Sequence, residues 1–206
     1  MPPLGTRFCS YVDGMLTVCT SIEVIREASQ AGSLVRRELT YRRLGHIYEA
    51  AYLRIFSRWE TFLEEACLRY MVHYHSPIYT PVVLVGGINT LSDARAALYG
   101  GGSYLLWHDP ARVAARAAAH LSGCPIETVT NASIQSLNWM AAVRHRVAHD
   151  SDDARSKFDA ATMSLAGQRY PGGRPGLFLR STDSAHQRWL PLLAIRLKNL
   201  ALQIAP

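Results

Sequence analysis

Apolar residues recur at three- and four-residue steps through much of this chain, the period of an amphipathic α-helix and not the alternation of a strand. The pattern is clearest where Tyr48, Tyr52, Ile55, Phe56, Trp59, Phe62, Leu63, Ala66 and Tyr70 form one stripe, with Glu49, Arg54, Arg58, Glu64, Glu65 and Arg69 opposite. Around it, residues from about Ser21 to His75 read as nearly continuous helix after an irregular opening. Neither proline nor a turn cluster interrupts the stretch, and a break is expected only near Gly32 or Gly45. The chain then changes character. Gly86-Gly87 and the glycines at 100–102 bracket one short helical piece near Leu91 to Tyr99, which predicts an irregular insertion over about 77–109.

Helical pattern resumes at Asp109-Pro110, an N-cap followed by proline at the first helical position, and runs to about Ser122, where Gly123 and Pro125 stop it. A further helix starts between Thr130 and Ser133, carries Ile134, Leu137 and Ala141 on one face, and ends around Asp150. Asp152 and Asp153 can cap a shorter helix to about Leu165. Pro171, Gly172, Gly173, Pro175 and Gly176 then predict a loop, so that 168–183 forms a second loop insertion. Residues Ser184 to Ile204 close the chain as an amphipathic helix with Pro191 near its start. The expected architecture is all-α: a helical bundle of about four or five helices in a single domain over 1–206.

Composition narrows the class. Hydrophobic residues are 49% and charged ones 18%, which excludes a disordered chain, and 206 residues suffice for a core without disulfide or metal staples. No uninterrupted apolar run approaches the roughly 18 residues of a membrane span. The opening lacks the layout of a secretory signal, so a cytoplasmic location without membrane contact is expected. Cys9, Cys19, Cys67 and Cys124 form no C-x-x-C pair and read as buried thiols. The net charge of +6, with a pI near 9.4, suits a polyanionic partner. Of 22 basic residues only Lys157 and Lys198 are lysines, a bias that suits bidentate phosphate contacts and that arginine-rich codon usage also produces.

Several chemistries fall away on inspection. Val85-Gly86-Gly87 and the glycines at 100–102 lack both the dinucleotide spacing and a following Gly-Lys-Ser/Thr, so neither is a phosphate loop. His145 and His149 have a spacing that can grip one metal, yet Arg146 stands where a metalloprotease needs glutamate, and no third ligand is evident. No cofactor is expected. Attention settles on Val143-Arg144-His145-Arg146-Val147-Ala148-His149-Asp150. Arg144 shares the line of Ile134, Leu137 and Ala141, so it points toward the packed side and needs a counterion, for which Glu60 is a candidate, or a ligand. His149, five residues on, is turned about 140° away on an ideal helix. One small ligand meets both groups only if the helix ends between them or a second copy contributes.

The R-x4-H arrangement from Arg144 to His149, the long aromatic helix with Trp59-Glu60-Thr61-Phe62-Leu63, the variable stretch after it and the motif near a helix end together resemble the HEPN superfamily, in particular its RiboL-PSP or MAE-type proteins. The resemblance covers roughly half of the chain. It implies a helical bundle acting as a homodimer and a metal-independent endoribonuclease that cleaves single-stranded RNA to 2′,3′-cyclic phosphate ends. The implied setting is toxin–antitoxin or phage defence, with an antitoxin or defence-system partner. It implies Arg144 and His149 as catalytic, with His145, Asp150 and Glu60 in support. Arg146, Arg169, Arg174 and Arg180 are the cations expected to meet RNA phosphates. Two positions depart from the family pattern: His145 follows the arginine where Asn or Asp is commoner, and Ser151 stands where a nucleotidylated subset carries tyrosine. The alternative is a non-catalytic HEPN RNA-binding or protein-interaction module that dimerises.

Overall fold

A computed structural model describes residues 3–102 and 104–206. The chain is almost entirely helical: among the described residues ten α-helices stand beside a single two-stranded sheet. The helices are α1 (Leu4–Ala28), α2 (Leu34–Glu38), α3 (Tyr41–Met71), α4 (Leu91–Tyr99), α5 (Pro110–His120), α6 (Pro125–Ala132), α7 (Ile134–Ala148), α8 (Asp152–Ala166), α9 (Pro175–Arg180) and α10 (Trp189–Ile204). The all-α class therefore holds, with more helices than the four or five expected. Four of the ten, α2, α4, α6 and α9, are short pieces, and among the six longer ones α1 lies in the stretch expected to be irregular.

Two differences from the sequence reading have local causes. The opening is helix, not irregular: Leu4, Phe8, Val12 and Cys19 are buried at helical steps, while Asp13 and Gly14 lie on the exposed side and interrupt the apolar run without interrupting the helix. By length and composition α1 is apolar enough to cross a membrane, and Val18, Val24 and Ile25 on it are exposed. Pro125 and Pro175 each begin a helix beyond those expected, α6 after the stop of α5 and α9 within the expected loop, because the first helical position needs no N–H. The long helical stretch breaks near Gly32, with φ +83°, as expected, and again at 39–40, while Gly45 remains inside α3.

The chain forms two compact units, and α1, α3, α7 and α10 each contribute to both. Unit 1 comprises residues 1–9, 58–138 and 197–206. Its core gathers Phe8, Trp59 and Phe62, with ring centroids 5.5 to 5.9 Å apart. Tyr70 donates to the carbonyl of Ile204. The sheet pairs β1 (Val82–Val83) with β2 (Leu121–Ser122) in antiparallel register, Val82 opposite Ser122, which ties the insertion to the end of α5. Asp109 caps α5 by accepting from the Arg112 N–H at 3.2 Å, and Thr90 and Asp93 form a reciprocal capping box on α4.

Unit 2 comprises residues 10–57 and 139–196. Tyr52 donates to the Met140 carbonyl at 2.8 Å, joining α3 to α7. Phe178 packs between Phe158, Tyr170 and Trp189, so the stretch expected as a loop supplies a core residue through α9. Gly45 on α3 meets Gly176 at the start of α9 so closely that a Cβ on Gly176 would sit 2.6 Å from the Gly45 backbone. Glu49 then accepts from the Gly176 N–H at 2.8 Å. The cysteines are free thiols, with Cys19, Cys67 and Cys124 buried and Cys9 half-buried.

Candidate functional site

The motif occupies the last turn of α7 and the short link to α8, all within unit 2. Val143 is buried and anchors the turn, Arg144, His145 and Arg146 are half-buried, and His149 and Asp150 are exposed. The helix ends at Ala148, between Arg144 and His149, while the His149 N–H still donates to the His145 carbonyl at 2.9 Å. That last bond keeps the two histidines one turn apart on the same side. Their rings lie 4.7 Å apart between centroids, inclined at 50°.

Arg146 holds this helix end in place. Its Nε donates to the Gly173 carbonyl at 2.9 Å, and its Nη1 donates to the His149 carbonyl at 3.2 Å and to Asp150 Oδ1. A cation here satisfies a carbonyl left over at the helix C-terminus and favours the negative end of the helix dipole. The side chain is only 12% exposed, so Arg146 is engaged inside the protein. Asp150, expected near an imidazole, pairs instead with Arg146. The receiving turn, a 3₁₀ element at Pro171–Gly173, has Gly172 and Gly173 at φ +67° and +57°, a left-handed backbone that glycine adopts without a Cβ clash.

The carboxylate that faces an imidazole is Asp153, in the first turn of α8. Its Oδ2 lies 3.9 Å from His145 Nε2 and also accepts from Lys157 Nζ at 2.7 Å. Ser151, and not Asp153, caps α8, accepting from the Ala154 N–H. The His145 pKa is lowered from the usual imidazole value, chiefly by burial, then by His149, Lys157 and Arg144, with Asp153 opposing them. His145 is therefore biased toward neutral imidazole, able to accept a proton near pH 7.

The other expected residues divide. Arg180 donates to Glu23 at 3.2 Å, lies 5.0 Å from the Tyr41 ring centre and is 13% exposed, which makes it a tie within unit 2. Arg169 and Arg174 are exposed. Arg169 borders an open groove with Arg155, Asp152 and Asp159, so cations and carboxylates alternate there. Glu60 is half-buried on α3 and belongs to unit 1, whereas Arg144 belongs to unit 2. The structure thus brings together His145, His149, Arg146, Asp150 and Asp153 around the end of α7. Asp153 and Lys157 are the members the sequence did not reveal, since only the fold-back of α8 across Asp150 and Ser151 sets them beside His145. Compared with family models, curated proteins and solved structures, the chain matches none of them.

Proposed function

We propose that this chain is a metal-independent endoribonuclease of HEPN type, cleaving single-stranded RNA in a toxin–antitoxin or phage-defence setting. The observation that carries the reading is the pair of imidazoles at the open end of α7, 4.7 Å apart, with Arg144 in the same turn and His145 held toward its neutral form. RNA supplies its own nucleophile. A base removes the 2′-hydroxyl proton, the 2′-oxygen bonds to phosphorus, the bond to the 5′-oxygen breaks, and that oxygen takes a proton, leaving a 2′,3′-cyclic phosphate and a 5′-hydroxyl. Arg144 is assigned to the scissile phosphate, where its planar fork matches two oxygens. His149, exposed at the helix end, handles the proton, and neutral His145 is its partner in that exchange. A homodimer with two motif-bearing helices facing one another adds a second Arg144 and His149 to the cleft.

The internal engagement of Arg146 and Arg180 favours a second reading, a non-catalytic RNA-binding or protein-interaction module, because both cations serve the scaffold. One experiment separates the two. Purified protein is incubated with mixed RNA and with DNA in excess EDTA, alongside Arg144→Ala, Arg144→Lys and His149→Ala. Cleavage of RNA alone, lost in all three variants while they remain folded, supports the nuclease. Binding without cleavage by the parent chain supports the module.

A further inference from the structure

Away from the motif, α5 carries Arg112, Arg116 and His120 at four-residue steps, so they form one cationic ridge in unit 1. Their surroundings differ sharply. Arg112 is exposed and lies 3.3 Å from Asp109, the carboxylate that also caps the helix. Arg116 is half-buried, its guanidinium carbon 4.8 Å from the ring centre of Trp107, which is itself only 6% exposed. Its buried Nη1 has no hydrogen-bond partner, and among the described residues it makes no ion pair. His120, one turn on, is half-buried with Nδ1 likewise unpartnered.

Among the described residues no carboxylate pairs directly with Arg116, and the one ionised carboxylate that acts on it, Asp109, is the smallest of its influences. The groups of acidic type that act on Arg116 are, in order, the Cys67 thiol, the Tyr99 phenol and Asp109. Burial pushes the Cys67 thiol up to about 12 and raises Tyr99 as well, so both are neutral at pH 7. Asp109 is engaged with Arg112. Glu64 accepts from Tyr99 at 2.9 Å and from Arg95 at 3.4 Å. Burial lowers the Arg116 pKa, yet a guanidinium stays protonated in proteins. Burial and then Arg116 lower the His120 pKa. Arg116 Nη1 and His120 Nδ1 are thus two buried nitrogens one turn apart without a hydrogen-bond partner, an arrangement that an anion would complete.

We propose that Arg116 and His120, with Trp107 as the wall behind the guanidinium, form a binding site for a small oxyanion, a phosphate or a carboxylate group. A rise of about 6 Å over four residues lets one oxyanion accept from both side chains through separate oxygens. The indole face stabilises the cation by its quadrupole and keeps water from the contact, which strengthens a charge-assisted hydrogen bond. The site lies in unit 1 and is independent of the ribonuclease reading.

The test uses the full chain in a buffer without oxyanions, titrated with sodium phosphate in one arm and sodium acetate in the other through roughly 10 mM, a range that captures millimolar binding. Tryptophan fluorescence and the His120 ring resonances are followed. The expected result is saturable change in both probes and a rise in the His120 pKa, since an anion offsets the Arg116 charge that faces it. Arg116→Gln weakens binding at least about tenfold, the scale of one lost charge-assisted hydrogen bond. His120→Gln weakens it less. Saturation by phosphate alone assigns a phosphate group, and equal saturation by acetate assigns a carboxylate. If Arg116→Gln fails to fold, the His120 titration of the parent chain and the His120→Gln variant decide. Absence of saturation in both arms, or parental affinity in both variants, overturns the proposal.

Discussion

The end of α7 and the ridge of α5 both set basic side chains one turn apart, yet their charges are balanced in opposite ways. At α7 every cation with a resolved contact has an oxygen to meet: Arg146 has Gly173, His149 and Asp150, Lys157 has Asp153, and the same Asp153 faces His145. At α5 the capping carboxylate, Asp109, pairs with Arg112, and Arg116 lies against an indole. Both regions read as basic in the sequence, which does not distinguish how their charges are balanced. Their local balance differs: the α7 end is satisfied by its own residues and leaves His149 exposed, while α5 keeps a buried Arg116 Nη1 without a partner.

The largest effect expected at the α7 end is chemical. Removing one general acid–base group costs about 10²- to 10⁴-fold in rate, so His149→Ala should lose RNA cleavage on that scale. Because the His149 side chain is exposed, its melting temperature should stay near that of the parent. A variant that cleaves as fast as the parent removes His149 from the mechanism. Next in size is the platform beneath the site. A Cβ at Gly176 meets the Gly45 backbone at 2.6 Å, whereas a Cβ at Gly45 meets Gly176 only at 3.6 Å. Gly176→Ala should therefore lose about 3 kcal/mol in urea denaturation through overpacking. Gly45→Ala should be neutral or gain up to about 1 kcal/mol from helix propensity. Equal losses in the two variants would contradict the close approach.

The asymmetry of that glycine pair also shows where sequence reading stops. The nine apolar residues of the α3 stripe are all buried, because a 3.6-residue period translates directly into one face. Asp109-Pro110 likewise starts α5, because capping is local. Gly45 looked like a breaker, but its lack of a side chain serves a contact with Gly176, 131 positions away, which no local pattern announces. The helical spacing that separates Arg144 from His149 was legible, and so was the alternative that the helix ends between them. Asp153 was visible as a cap-like residue and not as the partner of His145, since its position depends on how α8 folds back. Arg146 and Arg180 looked like surface cations; burial against Gly173 and Glu23 gives them structural work.

That distinction among arginines predicts the third effect. Arg146→Ala removes charge-assisted bonds to two backbone carbonyls and should cost about 1.5 to 3 kcal/mol in denaturant unfolding. The exposed pair with Asp150 adds little to this. Arg169→Ala and Arg174→Ala, both at exposed positions, should change stability by less than about 0.5 kcal/mol. If these two meet RNA phosphates, each should reduce the salt dependence of RNA affinity by about one unit of slope. A stable Arg146→Ala protein with a reduced salt slope would reverse the assignment and return Arg146 to the RNA surface.

The smallest effect separates α7 from α5 by pH. His145 is depressed by burial and then by His149, Lys157 and Arg144 against Asp153, and His120 by burial and then Arg116. Both imidazoles therefore bind protons more weakly in the folded chain than in the unfolded one, whose histidines titrate near about 6.5. In the window below that value the unfolded state holds more protons, so stability rises with pH there. The contribution is fully present above about 6.5 and is lost as pH falls through the folded values. Thermal melts between neutral and mildly acidic pH should show this slope, and His145→Gln and His120→Gln should each flatten part of it. An oxyanion at Arg116 favours protonated His120, so an anion that saturates the α5 site should flatten the His120 part and leave the His145 part intact. If that anion flattens the slope equally in the parent and in His120→Gln, the two histidines do not report separate regions, and the contrast between α7 and α5 fails.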